Sequence, residues 1–286
     1  MPILLCLAVL LAVVLGCQQR ASSPHLEKQV VRIRKAGMVI DCGGKDFAQG
    51  RITEIQVFAD DVKIRNCVIT GSVRTIGLGR VGESEDLRRS SYSQGHTRRA
   101  QAQAPKNLRV DRVRFNLVGL PGVYLGPGTT SASVTRSILA GQSNSFVIYL
   151  DAESAHNRIV GNTFRVQSQR EQIAVDGSAY NIIQDNVFHA VRRGGIHLYR
   201  NCGEGGTIRH QSPSYNRIIN NKFPNSENGR LVVVNSRSGN RRYCAQDKGY
   251  PYGSSADDRD RGVGNDLSGN EDPTRPPSRH DIINKS

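Results

Sequence analysis

Two acidic residues and a short basic segment carry side chains that could do chemistry together. Asp151 and Asp176 are 25 residues apart, and each ends an alternating apolar strand, "IYLD" and "IAVD". A third such strand, "IHLYR", brings His197, Tyr199 and Arg200 one repeat further on. Two carboxyls about 5 Å apart can serve as the acid and the nucleophile of a retaining glycosidase. A lyase or epimerase acting on a uronate would instead need a base, such as His197, Tyr199 or a free arginine, and an arginine or a metal to neutralise the sugar carboxylate.

Further polar residues surround these strands in the sequence. We expect the following side chains to line the same groove and to contact a substrate: Tyr149, Glu153, Arg170, Glu171, Glu204, Arg209, His210 and Arg237. Plainer roles are open as well, because an aspartate at a turn commonly binds its own backbone and exposed arginines are usually solvated. The residue types allow lyase, epimerase and glycosidase chemistry, and they do not select one.

The placement of these residues depends on an internal repeat. The segments "NRIVGN", "NIIQDN" and "NRIINN" read Asn-x-apolar-x-x-Asn, and "NDLSGN" is a fourth copy. The equivalent apolar residues Val110, Val134, Ile159 and Ile183 are separated by 24, 25 and 24 residues. A second strand recurs with them, in "VYLGPG", "IYLDAE", "IAVDGS", "IHLYRN" and "VVVNSR". Short alternating strands at a fixed step predict an all-β solenoid whose neighbouring coils lie about 4.8 Å apart.

Alternation within each strand predicts two rows of side chains that point out of the solenoid. The first row is Tyr149, Ala174 and His197, and the second is Asp151, Asp176 and Tyr199. Two stacked carboxylates cannot both ionise cheaply without a cation between them, so we expect the pKa of one aspartate to rise. The recurrent asparagines suit the tight bends, where their amides can stack as a ladder.

The repeat resembles the right-handed parallel β-helix of pectate lyases, NosD-like periplasmic proteins and alginate C5-epimerases, over about residues 30–270. The resemblance implies a single-stranded right-handed parallel β-helix of about seven to nine coils that acts on a polysaccharide. The Asp-Pro-His-Asp motif of alginate epimerases is absent, and nothing matches the Asp-Asp and Gly-His-Gly pattern of polygalacturonases. The resemblance therefore does not carry over a set of catalytic residues.

Interruptions of the repeat predict loop insertions at about residues 79–106, 200–214 and 236–262. We expect the first to lean over one face of the solenoid, with simple disorder as the alternative. The polar, proline-containing tail over residues 271–286 predicts disorder.

The N-terminus, "MPILLCLAVLLAVVLGC", has the length and apolarity of an export signal. Its end resembles a bacterial lipobox, which implies a signal peptide over residues 1–16, lipidation at Cys17 and a lipid-anchored tether over residues 17–29. Gln18 after the cysteine implies a periplasm-facing outer membrane lipoprotein. An ordinary secretory signal or an uncleaved anchor is the alternative.

Export would place the remaining cysteines in an oxidising compartment, where two disulfides are the simplest outcome. Of the three pairings open to four cysteines, local closure favours Cys42–Cys67 and Cys202–Cys244. A zinc site is the weaker alternative because the chain has no C-x-x-C pair.

The net charge of the chain indicates the chemical class of its binding partner. The formal net charge of +14 over 286 residues favours a polyanion. Export and the absence of tryptophan argue for an anionic polysaccharide rather than nucleic acid, and we expect a monomer. No cofactor follows with certainty, although "DDRD" at residues 257–260 could bind Ca²⁺. We therefore expect an envelope enzyme acting on an anionic polysaccharide, with a non-catalytic glycan-binding or export-assisting lipoprotein as the alternative.

Overall fold

Short parallel strands are the main regular elements of the chain in a computed structural model that describes residues 28–189, 191–227, 229–236 and 262–285. In chain order the strands are β1 (Gln29–Ile33), β2 (Val39–Asp41), β3 (Thr53–Val57), β4 (Lys63–Arg65), β5 (Val68–Thr75), β6 (Arg109–Asp111), β7 (Arg114–Gly119), β8 (Val123–Leu125), β9 (Ser133–Thr135), β10 (Ile138–Ser143), β11 (Ile148–Leu150), β12 (Arg158–Val160), β13 (Thr163–Ser168), β14 (Ile173–Asp176), β15 (Ile182–Gln184), β16 (Val187–Phe188), β17 (Ile196–Tyr199), β18 (Arg217–Ile219), β19 (Val232–Val234) and β20 (Ile282–Asn284). Two helices, α1 (Glu85–Ser91) and α2 (His96–Gln103), and a 3-10 turn at Glu204–Gly206 complete the described elements.

The strands form two sheets. A seven-stranded sheet runs β18-β15-β12-β9-β6-β4-β2, and a thirteen-stranded sheet runs β16-β13-β10-β7-β5-β8-β11-β14-β17-β19-β20, with β1 and β3 joined to it through β5. The pairings within both sheets are parallel, for example β12 with β15 and β11 with β14. This nearly all-β arrangement is consistent with a parallel β-solenoid, as the sequence predicts.

Strand β5 links the two halves of the larger sheet by bending at a glycine. Its first residues pair with β7, and residues 71–75 pair with β3. Gly71 has a φ of +133°, and a Cβ at this position would lie 2.0 Å from the backbone oxygen of Thr53. Any larger residue would therefore force the two strands apart.

The predicted repeat is confirmed by strand register. Val110 pairs with Val134, Val134 with Ile159, and Ile159 with Ile183. All four side chains are fully buried. Each step of 24 or 25 residues in the sequence therefore corresponds to one neighbouring strand of the smaller sheet.

The recurrent asparagines form two buried ladders at the bends. In each ladder a backbone N–H donates to the side-chain oxygen of the asparagine in the next coil, at 2.9–3.2 Å. The ladders are Asn157, Asn181, Asn216 and Asn265, and Asn162, Asn186, Asn221 and Asn270. The buried amides satisfy backbone donors that the turning chain leaves unpaired, which is why these positions need asparagine.

The insertion over residues 79–106 is ordered, and it carries both helices. Ser84 caps α1, because its side-chain oxygen accepts a hydrogen bond from the backbone N–H of Leu87. Thr97 of α2 donates to the Glu153 carboxylate at 2.5 Å, and Gln101 donates to the Glu153 carbonyl at 2.9 Å. The expectation that this segment leans over one face of the fold agrees with these contacts.

The prediction of a disordered tail over residues 271–286 is wrong for the described part of that segment. Strand β20 pairs with β19, and Glu271 forms a bridge with Lys222. Arg275 binds the carboxylates of Asp272 and Asp281, both of which are buried. The polar composition thus reflects a local ion-pair cluster that fastens an additional strand to the sheet.

One predicted disulfide is confirmed, between Cys42 and Cys67. Cys202 is also disulfide-bonded and fully buried, whereas Cys244 lies outside the described residues, so the pairing of these two stays a prediction. The proposed signal peptide and Cys17 lie outside the described residues as well. Among the described residues no helix has the length and apolarity needed to span a membrane.

A buried histidine makes the helical insertion sensitive to acid. His96 in α2 is fully buried, and its ring lies 5.1 Å from the His210 ring. Burial, followed by the charges of His210 and Arg99, lowers the pKa of His96 from 6.5 to about 3. Between these two pH values the unfolded chain binds a proton that the native protein excludes, so stability falls as the pH falls. This loss should be about 2 kcal/mol at pH 5.

The measurement is urea unfolding at pH 7.5 and pH 5.0 for the wild type and His96→Gln. Buried carboxyl groups change the pH dependence of stability in the opposite direction, and they do so equally in both proteins. The difference between the two proteins in their loss of unfolding free energy therefore reports on the His96 imidazole alone. His156→Gln, which changes an exposed histidine, is the control. If the wild type and His96→Gln lose the same free energy of unfolding on acidification, His96 is not the responsible group.

Candidate active site above strands β11, β14 and β17

The two predicted outward rows are confirmed by strand register. Tyr149 pairs with Ala174, and Ala174 pairs with His197. Asp176 pairs with Tyr199, and Asp151 directly follows β11 at the equivalent position. The candidate residues therefore lie side by side on three neighbouring strands.

The two aspartates are joined by an arginine from the 200–214 loop. Arg209 places one guanidinium nitrogen 3.1 Å from Asp151 and another 3.1 Å from Asp176. All three side chains are almost completely buried. The sequence predicts that a cation is needed between stacked carboxylates, and Arg209 supplies it.

The remaining carboxylate oxygens are also engaged. Asp151 accepts a hydrogen bond from the Tyr124 hydroxyl. Asp176 accepts hydrogen bonds from the Tyr149 hydroxyl at 2.5 Å and from the backbone N–H of Asn201 at 2.8 Å. The triad of Asp151, Arg209 and Asp176 thus anchors the loop to the strands.

Burial dominates the electrostatics of this triad. It raises the pKa of Asp151, and it raises the pKa of Asp176 to about 6, although Arg209 lowers both. Burial, followed by the neighbouring aspartates, also raises the pKa of Tyr124 and Tyr149 well above 10. Both phenols are therefore neutral donors to the carboxylates.

A cavity of about 170 Å³ opens above the triad. Its lining residues are Arg80, Val81, Tyr124, Phe146, Tyr149, Asp151, Arg170, Tyr199, Asn201, Glu204 and Arg209. Three of them form an aromatic patch: the rings of Tyr124 and Tyr149 stack at 5.3 Å, and Phe146 lies 4.3 Å from Tyr149. Arginine guanidinium groups lie over Tyr124 and Phe146 at 5.0–5.9 Å. The cavity thus combines flat aromatic walls with arginines and with the carboxylates of Asp151 and Glu204.

Tyr199 holds the central position in the site. Its hydroxyl donates to a carboxylate oxygen of Glu171 at 2.8 Å, and Arg170 donates to the Tyr199 oxygen at 2.9 Å. Arg170 also binds Glu171 directly at 2.8 Å. Burial raises the pKa of Glu171, but the charge of Arg170 and hydrogen bonds to the carboxylate outweigh this effect, so the net shift is downward and the carboxylate is ionised at pH 7. The phenol oxygen is therefore fixed between a cation and an anion.

His197 lies on the far side of Glu171, with its Nδ1 3.9 Å from the carboxylate. Burial lowers its pKa from 6.5 to about 4, so the imidazole is neutral at pH 7. The ring packs under Gly194, where a Cβ would lie 2.3 Å from Nε2. A second cavity of about 130 Å³, lined by His197 and also by Tyr199, continues the groove toward β19 and β20.

Other known proteins offer no guide to this site. No protein-family model, characterised protein or solved structure matches the chain. Within the part of the chain that the structure describes, no group of three or more His, Cys, Asp and Glu side chains could hold a metal ion. The acidic segment at residues 257–260, which could bind Ca²⁺, lies outside the described residues.

Several predicted substrate-binding residues, and Arg200 of the predicted catalytic set, make contacts that hold the fold together. Glu153 is buried and accepts hydrogen bonds from Thr97 and from the backbone N–H of His210. His210 binds the backbone oxygen of Ser91 through Nε2, at 2.8 Å. Arg200 is buried and donates to the backbone oxygen of Arg209. These residues connect the helices and the 200–214 loop to the strands, and Arg237 lies outside the described residues.

Sequence reasoning missed several residues that line the two cavities. Tyr124 pairs with Tyr149 and so belongs to the first outward row, which its strand "VYLGPG" could have shown. Phe146 and Arg80 lie in connecting segments that carry no periodic pattern. Arg230 precedes β19 and Lys285 follows β20. Strand β20 lies within residues 271–286, for which the sequence predicts disorder.

A larger cavity, of about 370 Å³, lies at the end of the sheets near β19. Its described lining, which includes Val234, Asn235 and residues 262–265, contains no ionisable side chain. Because acid–base chemistry needs titratable groups, we assign the candidate site to the smaller, charged cavities.

Proposed function

We propose that this chain is an exported, lipid-anchored protein of the cell envelope that acts on an anionic polysaccharide by proton transfer, as a lyase or C5-epimerase. Its fold in this proposal is a right-handed parallel β-helix of about seven to nine coils, with the substrate bound on the outer face of the larger sheet. Tyr199 is the group that transfers the proton. The sequence allows lyase, epimerase and glycosidase chemistry, and this proposal keeps the first two.

The observation that carries the proposal is the environment of the Tyr199 oxygen. Arg170 donates to it at 2.9 Å, so negative charge that develops on the phenol oxygen is stabilised where it forms. Glu171 fixes the direction of the hydroxyl at 2.8 Å. Tyr199 contributes to the lining of both cavities, so a sugar that spans them would contact this residue.

The reaction follows from these positions. The Tyr199 hydroxyl passes its proton to Glu171, to which it is hydrogen-bonded at 2.8 Å. The resulting phenolate removes the proton from the carbon next to the sugar carboxylate, and the electron pair of that C–H bond moves onto the carboxylate, where a cation stabilises it. In a lyase, that pair then forms the C4–C5 double bond as the C4–oxygen bond breaks; the leaving oxygen takes the abstracted proton from Tyr199, which recovers its own proton from Glu171. In an epimerase, a solvent water gives a proton to the same carbon from its opposite face, and the proton held by Glu171 restores that water.

The buried triad argues against a retaining glycosidase. Such an enzyme needs one carboxylate free to attack carbon and a second carboxyl free to protonate the leaving group. Here Asp151 and Asp176 are both held by Arg209 and by tyrosine hydroxyls, and both are fully buried. We therefore assign the two aspartates a positioning role.

Charge and shape support an anionic sugar as the substrate. Arg80, Arg170 and Arg209 line the first cavity, and the aromatic patch of Tyr124, Phe146 and Tyr149 forms an adjacent wall. Aromatic faces pack against the apolar faces of sugar rings, while arginines bind carboxylates. The net charge of +14 favours the approach of a polyanion.

The test uses soluble protein that begins at Gln18, incubated with acidic and neutral bacterial polysaccharides in deuterated buffer, with and without Ca²⁺. Proton NMR separates the outcomes. Unsaturated sugar signals identify a lyase, and deuterium at C5 identifies an epimerase. New reducing ends without unsaturation would contradict the assignment to proton transfer. Binding to a polysaccharide without any chemical change would instead support the non-catalytic lipoprotein.

A further inference from the structure

The second cavity has an arrangement of charges unlike that of the first. It lies over the outward row formed by His197, Val233 and Ile283, which pair across β17, β19 and β20. Val233 is buried and Ile283 is partly buried, so the floor of this cavity is apolar. Arg230 precedes β19, and Lys285 follows β20.

The two cations of this cavity have no carboxylate partner among the residues that the structure describes. Arg230 and Lys285 are exposed, and neither forms an ion pair with any carboxylate that the structure describes. Glu171, the one acidic residue of the described lining, is already bound by Arg170. His197 is neutral at pH 7 and adds no charge. The cavity therefore presents positive charge above an apolar floor.

We propose that this second cavity is an anion-binding subsite that holds the carboxylate of a uronic acid residue next to the one at Tyr199. The assignment rests on the proposed function, and it names acidic over esterified sugars as the substrate class. Arg230 and Lys285 bind the carboxylate from two sides, and Val233 and Ile283 pack against the sugar ring. Strand β20, which closes this cavity, becomes part of the binding surface.

The spacing of the strands supports a run of several sugars along the groove. The outward row continues from Tyr149 through Ala174, His197 and Val233 to Ile283, which is four strand steps. At about 4.8 Å per step this row is about 19 Å long. A linear acidic polysaccharide that follows the row would place successive carboxylates over first Arg170 and then the pair Arg230 and Lys285.

The test compares two acidic oligosaccharides, each as the free acid and as its methyl ester. The probes are oligogalacturonate and oligomannuronate, measured by calorimetric titration of wild type, Arg230→Gln and Lys285→Gln. Each substitution should weaken binding of the free acid by about tenfold and leave binding of the ester unchanged. Lys222→Gln removes the same charge from an exposed residue outside both cavities, and it should change the affinity less than twofold.

The outcomes separate this inference from the proposed function. If Lys285→Gln and Lys222→Gln weaken binding of the free acid equally, the binding reflects general electrostatic attraction and the subsite is overturned. This holds even if the wild type shows catalytic turnover of the polysaccharide. Selective loss in Lys285→Gln without any turnover by the wild type would support the subsite and count against catalysis. If the wild type binds the ester as tightly as the acid, or binds neither, the subsite is refuted.

Discussion

Tyr199→Phe should lower turnover of the acidic polysaccharide by about a thousandfold while the affinity for that polysaccharide changes by less than tenfold. The substitution removes one oxygen, which is the atom held by Arg170 and Glu171. Those two residues also bind each other at 2.8 Å, so their positions do not depend on the phenol. The ring itself remains, which preserves the packing of a residue that is almost completely buried.

The control for Tyr199→Phe is Tyr215→Phe, which removes a hydroxyl from an exposed tyrosine that stacks on Tyr180. Tyr215 lines neither of the two charged cavities. It should leave turnover and binding unchanged. Activity is followed by absorbance of the unsaturated product or by deuterium incorporation, and binding is followed by calorimetry. Retention of a tenth or more of wild-type turnover in Tyr199→Phe would remove Tyr199 from its proton-transfer role.

Periodic features of this fold could be predicted from the sequence. The step of 24 or 25 residues sets the register, and register decides which side chains stack. The asparagine ladders, the outward rows and the juxtaposition of Asp151 with Asp176 all follow from that one period. The nearby disulfide between Cys42 and Cys67 follows from local closure of the chain.

Features that lie between the repeats could not be predicted in the same way. Arg209 is 58 residues from Asp151 in sequence, and its contact depends on how an aperiodic loop folds back. The helices of residues 79–106 are held by partners such as Glu153 and His210, which lie far along the chain. Strand β20 pairs with β19 across the 237–261 segment, which no local pattern indicates.

Arg209→Met should lower the free energy of unfolding by about 3–5 kcal/mol at pH 7.5. The substitution keeps an unbranched apolar stem but removes the guanidinium group, which leaves Asp151 and Asp176 as buried carboxylates without their shared cation. In the variant both pKa values rise further because Arg209 no longer lowers them. The native state then binds protons that the unfolded chain releases, so the stability of the variant should increase as the pH falls from 7.5 to 5.

The triple variant Arg209→Met, Asp151→Asn and Asp176→Asn separates loss of charge balance from loss of packing. Its neutral amides can still accept from the Tyr124 and Tyr149 hydroxyls, so we expect it to recover most of the lost stability. Arg165→Met is the matched control, since this exposed arginine makes no ion pair with a described residue and should change stability by less than about 0.5 kcal/mol. Urea unfolding at pH 5.0 and 7.5 measures all four proteins. If the triple variant has no higher free energy of unfolding than Arg209→Met, the charge balance of the buried triad contributes nothing to stability. Arg209 would then stabilise the fold by packing and by hydrogen bonding to the backbone.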